Sequence, residues 1–126
     1  MGLNDFPVTA SVAVSDITRG REFYEGKLGL SGGEDQPDGG HTYDCAGGSR
    51  IHIYPSDTAG SGRATVAWWE VGDIEATVDE LTAKGVTFEQ YGEPFNTDAK
   101  GIARLGDLAA AWFKDPDGNI LAIGTQ

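Results

Sequence analysis

Val14-Ser15-Asp16-Ile17 returns 57 residues later as Val71-Gly72-Asp73-Ile74, and this echo organises the chain. A strand leads into each copy: Val8 to Val14, rich in small and β-branched residues, and Thr65 to Val71. Asp16 and Asp73 then stand where a helix N-cap belongs, since a carboxylate there accepts the free N–H groups of the first turn. The helices run to about Lys27 and Lys84, and Gly29 and Gly85 fit their ends. In the first helix Ile17, Phe23, Tyr24 and Leu28 fall towards a core.

Further out, His41 to Cys45 and Arg50 to Tyr54 read as strands around Ala46-Gly47-Gly48-Ser49. Ala109 to Lys114 and Asn119 to Gly124 flank Asp115-Pro116-Asp117-Gly118 in the same way. Gly48 with Ile51-His52-Ile53 matches Gly118 with Leu121-Ala122-Ile123 at an offset of 70, so the second half carries 13 extra residues. Val86 to Gln90 reads as one more strand, Tyr91 to about Gly101 as a loop, and Pro55 to Gly62 as a linker. Each half is strand, helix, then strands, and is too small to bury a good core alone. One domain over residues 1–126 is expected, with module one at about 6–55 and module two at about 64–126.

Composition narrows the function classes. Nine Lys and Arg against twenty Asp and Glu give a net charge of -11, which disfavours a phosphate backbone or an anionic membrane surface as partner. No apolar run approaches the roughly 20 residues of a membrane span. The start, MGLNDFPVTASVAVSD, lacks the basic and apolar regions of a signal peptide, and Phe6 stands where a myristoylation site needs Ser or Thr; a cytoplasmic protein is expected. With Cys45 alone there is no internal disulfide, and with only His41 and His52 a histidine-rich metal site is hard to build. The Gly-rich stretches Ser31-Gly32-Gly33 and Ala59-Gly60-Ser61-Gly62 precede no helix and read as connections rather than phosphate loops.

Phe23-Tyr24-Glu25, Lys27-Leu28-Gly29-Leu30, Val71-Gly72-Asp73-Ile74-Glu75-Ala76 and Trp112-Phe113-Lys114-Asp115-Pro116-Asp117-Gly118-Asn119-Ile120, together with Val14 to Ile17, resemble the vicinal oxygen chelate superfamily. That superfamily includes glyoxalase I, extradiol dioxygenases and bleomycin-resistance proteins. The resemblance covers nearly the whole chain. It implies an α+β fold of two tandem βαβββ modules whose curved sheets surround a ligand cleft, and it implies a homodimer. It also implies metal-ligand positions on the first and last strands of each module, which map here to Thr9, His52, Val66 and Ala122. Only His52 is a good ligand for a divalent ion. The expectation is therefore no metal and no cofactor, and neither glyoxalase I nor extradiol dioxygenase activity.

Strand alternation proposes what lines the cleft instead. With Thr9 on the concave side, Ser11 shares its face; with Val66 concave, Trp68 and Glu70 follow; with His52 concave, Tyr54 follows. A three-residue turn at Pro116 to Gly118 pairs Trp112 with Ala122 and makes Trp112 concave. At Gly47-Gly48 a two-residue turn sets Tyr43 opposite His52 and His41 opposite Tyr54, whereas a three-residue turn presents Thr42 and Asp44. Gly-Gly favours the first. The candidate ligand-binding set is Thr9, Ser11, Tyr43, His52, Tyr54, Trp68, Glu70 and Trp112.

Such a surface suits a small aromatic or polycyclic natural product or antibiotic, bound without metal and sequestered to give resistance. Each residue also has a plainer reading: the tryptophans as core, His52 as a satisfied structural histidine, Glu70 as a solvated rim. The competing function is a metal-free isomerase, cyclase or lyase with His52 and Glu70 as its acid–base pair.

Overall fold

A computed structural model describes residues 2–125. Module one comprises β1 (Thr9–Val14), α1 (Ile17–Arg21), β2 (Glu34–Asp35), β3 (His41–Asp44) and β4 (Arg50–Pro55). Module two comprises β5 (Thr65–Glu70), α2 (Ile74–Ala83), β6 (Ile102–Leu105), β7 (Leu108–Lys114) and β8 (Ile120–Thr125). Each module forms a four-stranded mixed sheet, in the orders β1-β4-β3-β2 and β5-β8-β7-β6. The first and last strands of each module pair in parallel, as the two halves of one repeat should.

Both expected caps form. Asp16 accepts the N–H groups of Thr18 and Arg19, and Asp73 accepts that of Ala76. Beyond Arg21 the first helix widens into a π-helical turn, Glu22–Lys27, closed by Leu28 N–H donating to the Phe23 carbonyl at 3.1 Å. The consecutive residues Phe23 and Tyr24 are both buried there.

Alternation decides the core. Val12 and Val14 of β1, Ile51 and Ile53 of β4, Phe113 of β7 and Leu121 and Ile123 of β8 all point inward to one apolar cluster shared by both modules. Ile74, Val78 and Leu81 cover it from α2.

Polar groups tie the modules together at the β7–β8 turn. Asp115 is buried, and its carboxylate accepts the Tyr24 hydroxyl at 2.8 Å and the Asn119 side-chain amide at 2.8 Å. Asn119 donates in turn to the Ala13 carbonyl at 2.7 Å. At the surface Asp117 receives Ser15 and Arg19. Burial, with the Asp115 charge second, holds the Tyr24 hydroxyl firmly in its protonated, donating form.

Two expectations need correction. Val86 to Gln90 is not a strand: it contributes one bridge, Phe88 to Phe113, and the Glu89 N–H bond to the Trp112 carbonyl. The fourth strand is Ile102–Leu105, inside the extra length of module two. It takes the β7 edge over Leu108 to Ala111, so only Trp112 to Lys114 remain for the Phe88 segment. The other correction is the register of the first hairpin. Cys45 pairs with Ser49 around the three-residue turn Ala46–Gly48, in which Gly47 and Gly48 have φ of 67° and 79°.

Replacing Tyr24 with Phe leaves the buried Asp115 carboxylate short of a donor while keeping the ring. Urea unfolding should show a loss of about 1–3 kcal/mol with an unchanged denaturant slope. No measurable loss would mean the Asp115–Tyr24 bond does not hold the modules.

Candidate functional site

The corrected register builds the module-one face row by row. Ser11 of β1, His52 of β4 and Thr42 of β3 lie side by side, followed by Glu34 of β2. The next rows bring Thr9 beside Arg50 and Ala13 beside Tyr54. These side chains floor an open hollow of about 620 Å³, in which Thr9, Ser11, His52 and Tyr54 stand together as expected. Thr42, Arg50, Gln36 and Asp38 complete the lining.

Tyr43 does not belong to this hollow. It points the other way into the core, is fully buried, and donates to Glu25 at 2.7 Å. Thr42 occupies the place expected for Tyr43. His41 likewise turns inward, its ring nitrogens 2.8 Å from an Asp35 oxygen and 2.7 Å from the Gly32 carbonyl oxygen. The repeat itself carried the missed signal. Gly48 aligns with Gly118, so the three-residue turn that pairs Trp112 with Ala122 in module two pairs Thr42 with His52 in module one.

His52 uses both ring nitrogens. Nδ1 lies 2.9 Å from the Thr42 hydroxyl and Nε2 lies 2.8 Å from Asp38 Oδ2. The second carboxylate oxygen of Asp38 accepts the Gly40 N–H at 2.8 Å. That amide bond and the histidine hold Asp38 below the usual carboxylate range. The turn carrying Asp38 reaches this position through a close approach at Gly40, where an added Cβ would sit 2.2 Å from the Ile53 carbonyl oxygen. The partners of His52 are therefore Thr42 and Asp38, and no ring nitrogen is left for Glu70. Glu70 is exposed on the other sheet, in register with Gly124.

The module-two face has a different chemistry. Trp68 of β5, Ala122 of β8 and Trp112 of β7 form one row, so a single methyl group separates two indole-bearing positions. Trp68 is 49 % exposed and lies over Gly124, where a Cβ would stand 3.6 Å from its ring. Its neighbour Trp69 faces the core, as alternation requires. Trp112 is half-buried because the loop after α2 packs on it: Tyr91 stands edge-on at 5.5 Å between ring centroids and Phe95 lies at 5.0 Å. Tyr91, Phe95, Gln36 and Asp38 lie outside the strands, where alternation could not reach them, whereas Arg50, two residues before His52 on β4, was within its reach and was missed.

The four positions that hold metal ligands in the resembled superfamily carry Thr9, His52, Val66 and Ala122. Their partners in register, Ser11 beside His52 and Trp68 beside Ala122, add no imidazole or carboxylate. This donor set does not fit a divalent ion of that type.

Two βαβββ modules, joined through a common core and presenting one polar and one aromatic face, define the vicinal oxygen chelate fold. The family model for the Glyoxalase/Bleomycin resistance protein/Dioxygenase superfamily matches residues 7–123, and the chain belongs to that superfamily. No curated protein matches the chain.

Solved structures share the fold at low identity. UcmS2 superposes with a TM-score of 0.72 at 20 % identity, over 94 % of this chain and 96 % of its own. TnmS3, an antibiotic binding protein from Streptomyces sp. CB03234, gives a TM-score of 0.65 at 22 % identity, over 93 % and 92 %. A glyoxalase/bleomycin resistance protein from Catenulispora acidiphila DSM 44928 gives 0.66 at 21 % identity, over 96 % and 98 %. Among the described residues, no helix is long and apolar enough to cross a membrane.

The inward turn of Tyr43 has a consequence for acid stability. Its hydroxyl, with the Arg21 guanidinium second, lowers the Glu25 carboxyl below its ordinary value of 4.5. A depressed folded value means the stabilisation is present above the unfolded value and disappears as pH falls through the folded one. The stability difference between the wild type and Tyr43→Phe should therefore be larger at about pH 7 than at about pH 3 in urea titrations. A difference constant with pH would remove Glu25 from the account.

Proposed function

We propose that this protein binds a small aromatic or polycyclic natural product or antibiotic without a metal, and sequesters it so as to confer resistance. The observation that carries the reading is the row Trp68–Ala122–Trp112. Where metal-using relatives place a ligand, this chain places a methyl group between two indole-bearing strands. A flat ring system gains from stacking and apolar burial on such a wall, and the nearby hydroxyls and amides orient it. The printed description of TnmS3 as antibiotic binding supports the same reading. The net charge of -11 favours a neutral or cationic ligand over an anionic one.

The binding unit in this reading is a homodimer, in which the polar hollow of one copy completes the aromatic face of the other. The support is exposure: Val8 is 75 %, Val66 40 % and Trp68 49 % exposed in the single chain, which is costly apolar area for an isolated molecule. Thr9, Ser11, His52, Tyr54, Trp68, Glu70 and Trp112 are the ligand-contacting candidates, with Thr42 in place of Tyr43.

The test is capture followed by mass spectrometry. Purified protein, with chelator present, is incubated with a panel of aromatic antibiotics and a metabolite extract, washed and denatured. Release of an unchanged compound in stoichiometric amount is the expected result, and Trp68→Ala should weaken its binding by roughly 1–3 kcal/mol. A panel without any saturable binder overturns the reading, and release of chemically altered compound beyond stoichiometry replaces it with an enzyme. Sedimentation equilibrium should give twice the chain mass; a monomer at micromolar concentration would overturn the shared cleft.

A further inference from the structure

In the polar hollow Thr42 and His52, two of the ligand-contacting candidates, belong to an arrangement that binding alone does not require. Thr42 Oγ1, the His52 ring and the Asp38 carboxylate form one unbroken hydrogen-bonded chain, with links of 2.9 and 2.8 Å. Its polarity is fixed by the acceptor at one end. The Asp38 carboxylate can only accept, so His52 Nε2 carries the proton. In the neutral ring Nδ1 keeps a lone pair, to which the Thr42 hydroxyl can donate. That is a hydroxyl held against a base, and a base oriented by an acid.

The rest of the hollow suits this chemistry. Asp38 is fixed from its other oxygen by the Gly40 amide, so the orienting group is itself held. Thr42 and His52 both line the open hollow and face a substrate entering it. Arg50 precedes His52 by two residues on the same strand face and lines the same space, bringing a positive charge to the hollow in which an oxyanion would form.

We infer that Thr42 is a nucleophile towards activated esters of small acyl groups, with His52 as its base and Asp38 as the positioning residue. The Thr42 oxygen bonds to the ester carbonyl carbon while its proton passes to His52 Nδ1. The tetrahedral adduct expels the alkoxide or phenoxide, which takes that proton and leaves as the alcohol or phenol. An acyl-threonine ester remains, with no change in oxidation state. Water then attacks the acyl carbon, His52 accepts its proton and returns it to the Thr42 oxygen, and the carboxylic acid departs. This activity belongs to the module-one face alone and does not rest on the binding of an aromatic ligand by module two.

The full chain is treated with para-nitrophenyl acetate, and phenolate release is followed together with peptide mass mapping. The expected result is a burst of about one phenolate per chain and one acetyl group on Thr42. Thr42→Val keeps the β-branched shape of the strand residue and should abolish that label, whereas Thr42→Ser should retain it. His52→Gln should slow labelling by about 100-fold or more, the scale of a positioned base. Asp38→Asn should lower the rate constant without altering the ester concentration at half-saturation, a split that a merely structural role would not produce. Acetylation confined to lysines, the N-terminus or the His52 ring, or a burst unchanged in Thr42→Val, overturns the proposal. Thermal melts of the variants show that each is folded before its rate is read.

Discussion

The buried Asp115 carboxylate is the constraint on which the architecture turns. A charge taken out of water is tolerated only when hydrogen bonds replace hydration. Here the donors come from three places: the Tyr24 hydroxyl of module one, the Asn119 side chain, and the backbone N–H groups of Asp117 and Asn119. Asn119 then spends its remaining amide proton on the Ala13 carbonyl of β1. One carboxylate therefore shapes its own hairpin, receives the first helix and, through Asn119, fixes the first strand. The apolar cluster beneath it can then be continuous across both modules, because the two sheets are held in one relative position.

Given that frame, the outward faces were free to diverge. A turn of the same three-residue length in both hairpins puts equivalent positions opposite one another: Thr42 with His52 in one sheet and Trp112 with Ala122 in the other. One pair makes a polar relay with Asp38. The other makes an apolar wall that Tyr91 and Phe95 brace from the loop after α2. Of the last-strand positions to which the resemblance assigns metal ligands, His52 faces a hydroxyl here and Ala122 faces an indole. Function in this superfamily thus lives in which side chains the shared rows present, while the scaffold stays the same.

Much of this was legible because strands and helices announce themselves by period. The Asp16 and Asp73 caps, the alternation of Val12 and Val14, and the turn at Pro116 to Gly118 are local events whose causes lie within a few residues. The same alternation places Thr9, Ser11, His52, Tyr54, Trp68 and Trp112 on the face away from the core. The face of Tyr43 is not legible in this way, because a Gly-Gly pair serves two turn lengths and a one-residue slip reverses the face of every side chain on the strand. Val86 to Gln90 has strand composition, but strand formation needs a free edge, and β6 had taken most of it.

The sequence by itself determined the two-module plan, the capped helices and the lack of metal donors at three of the four superfamily positions. Each is written in spacing and residue type, which act over short range. Only the tertiary structure decided that Asp38 meets His52, that Tyr91 and Phe95 rest on Trp112, and that Tyr24 satisfies Asp115. Those partners are separated by 14 residues in one case and 91 in another, and they meet through loops that no periodicity describes. Their distances are set by how two sheets pack over one core, which is a property of the folded chain as a whole.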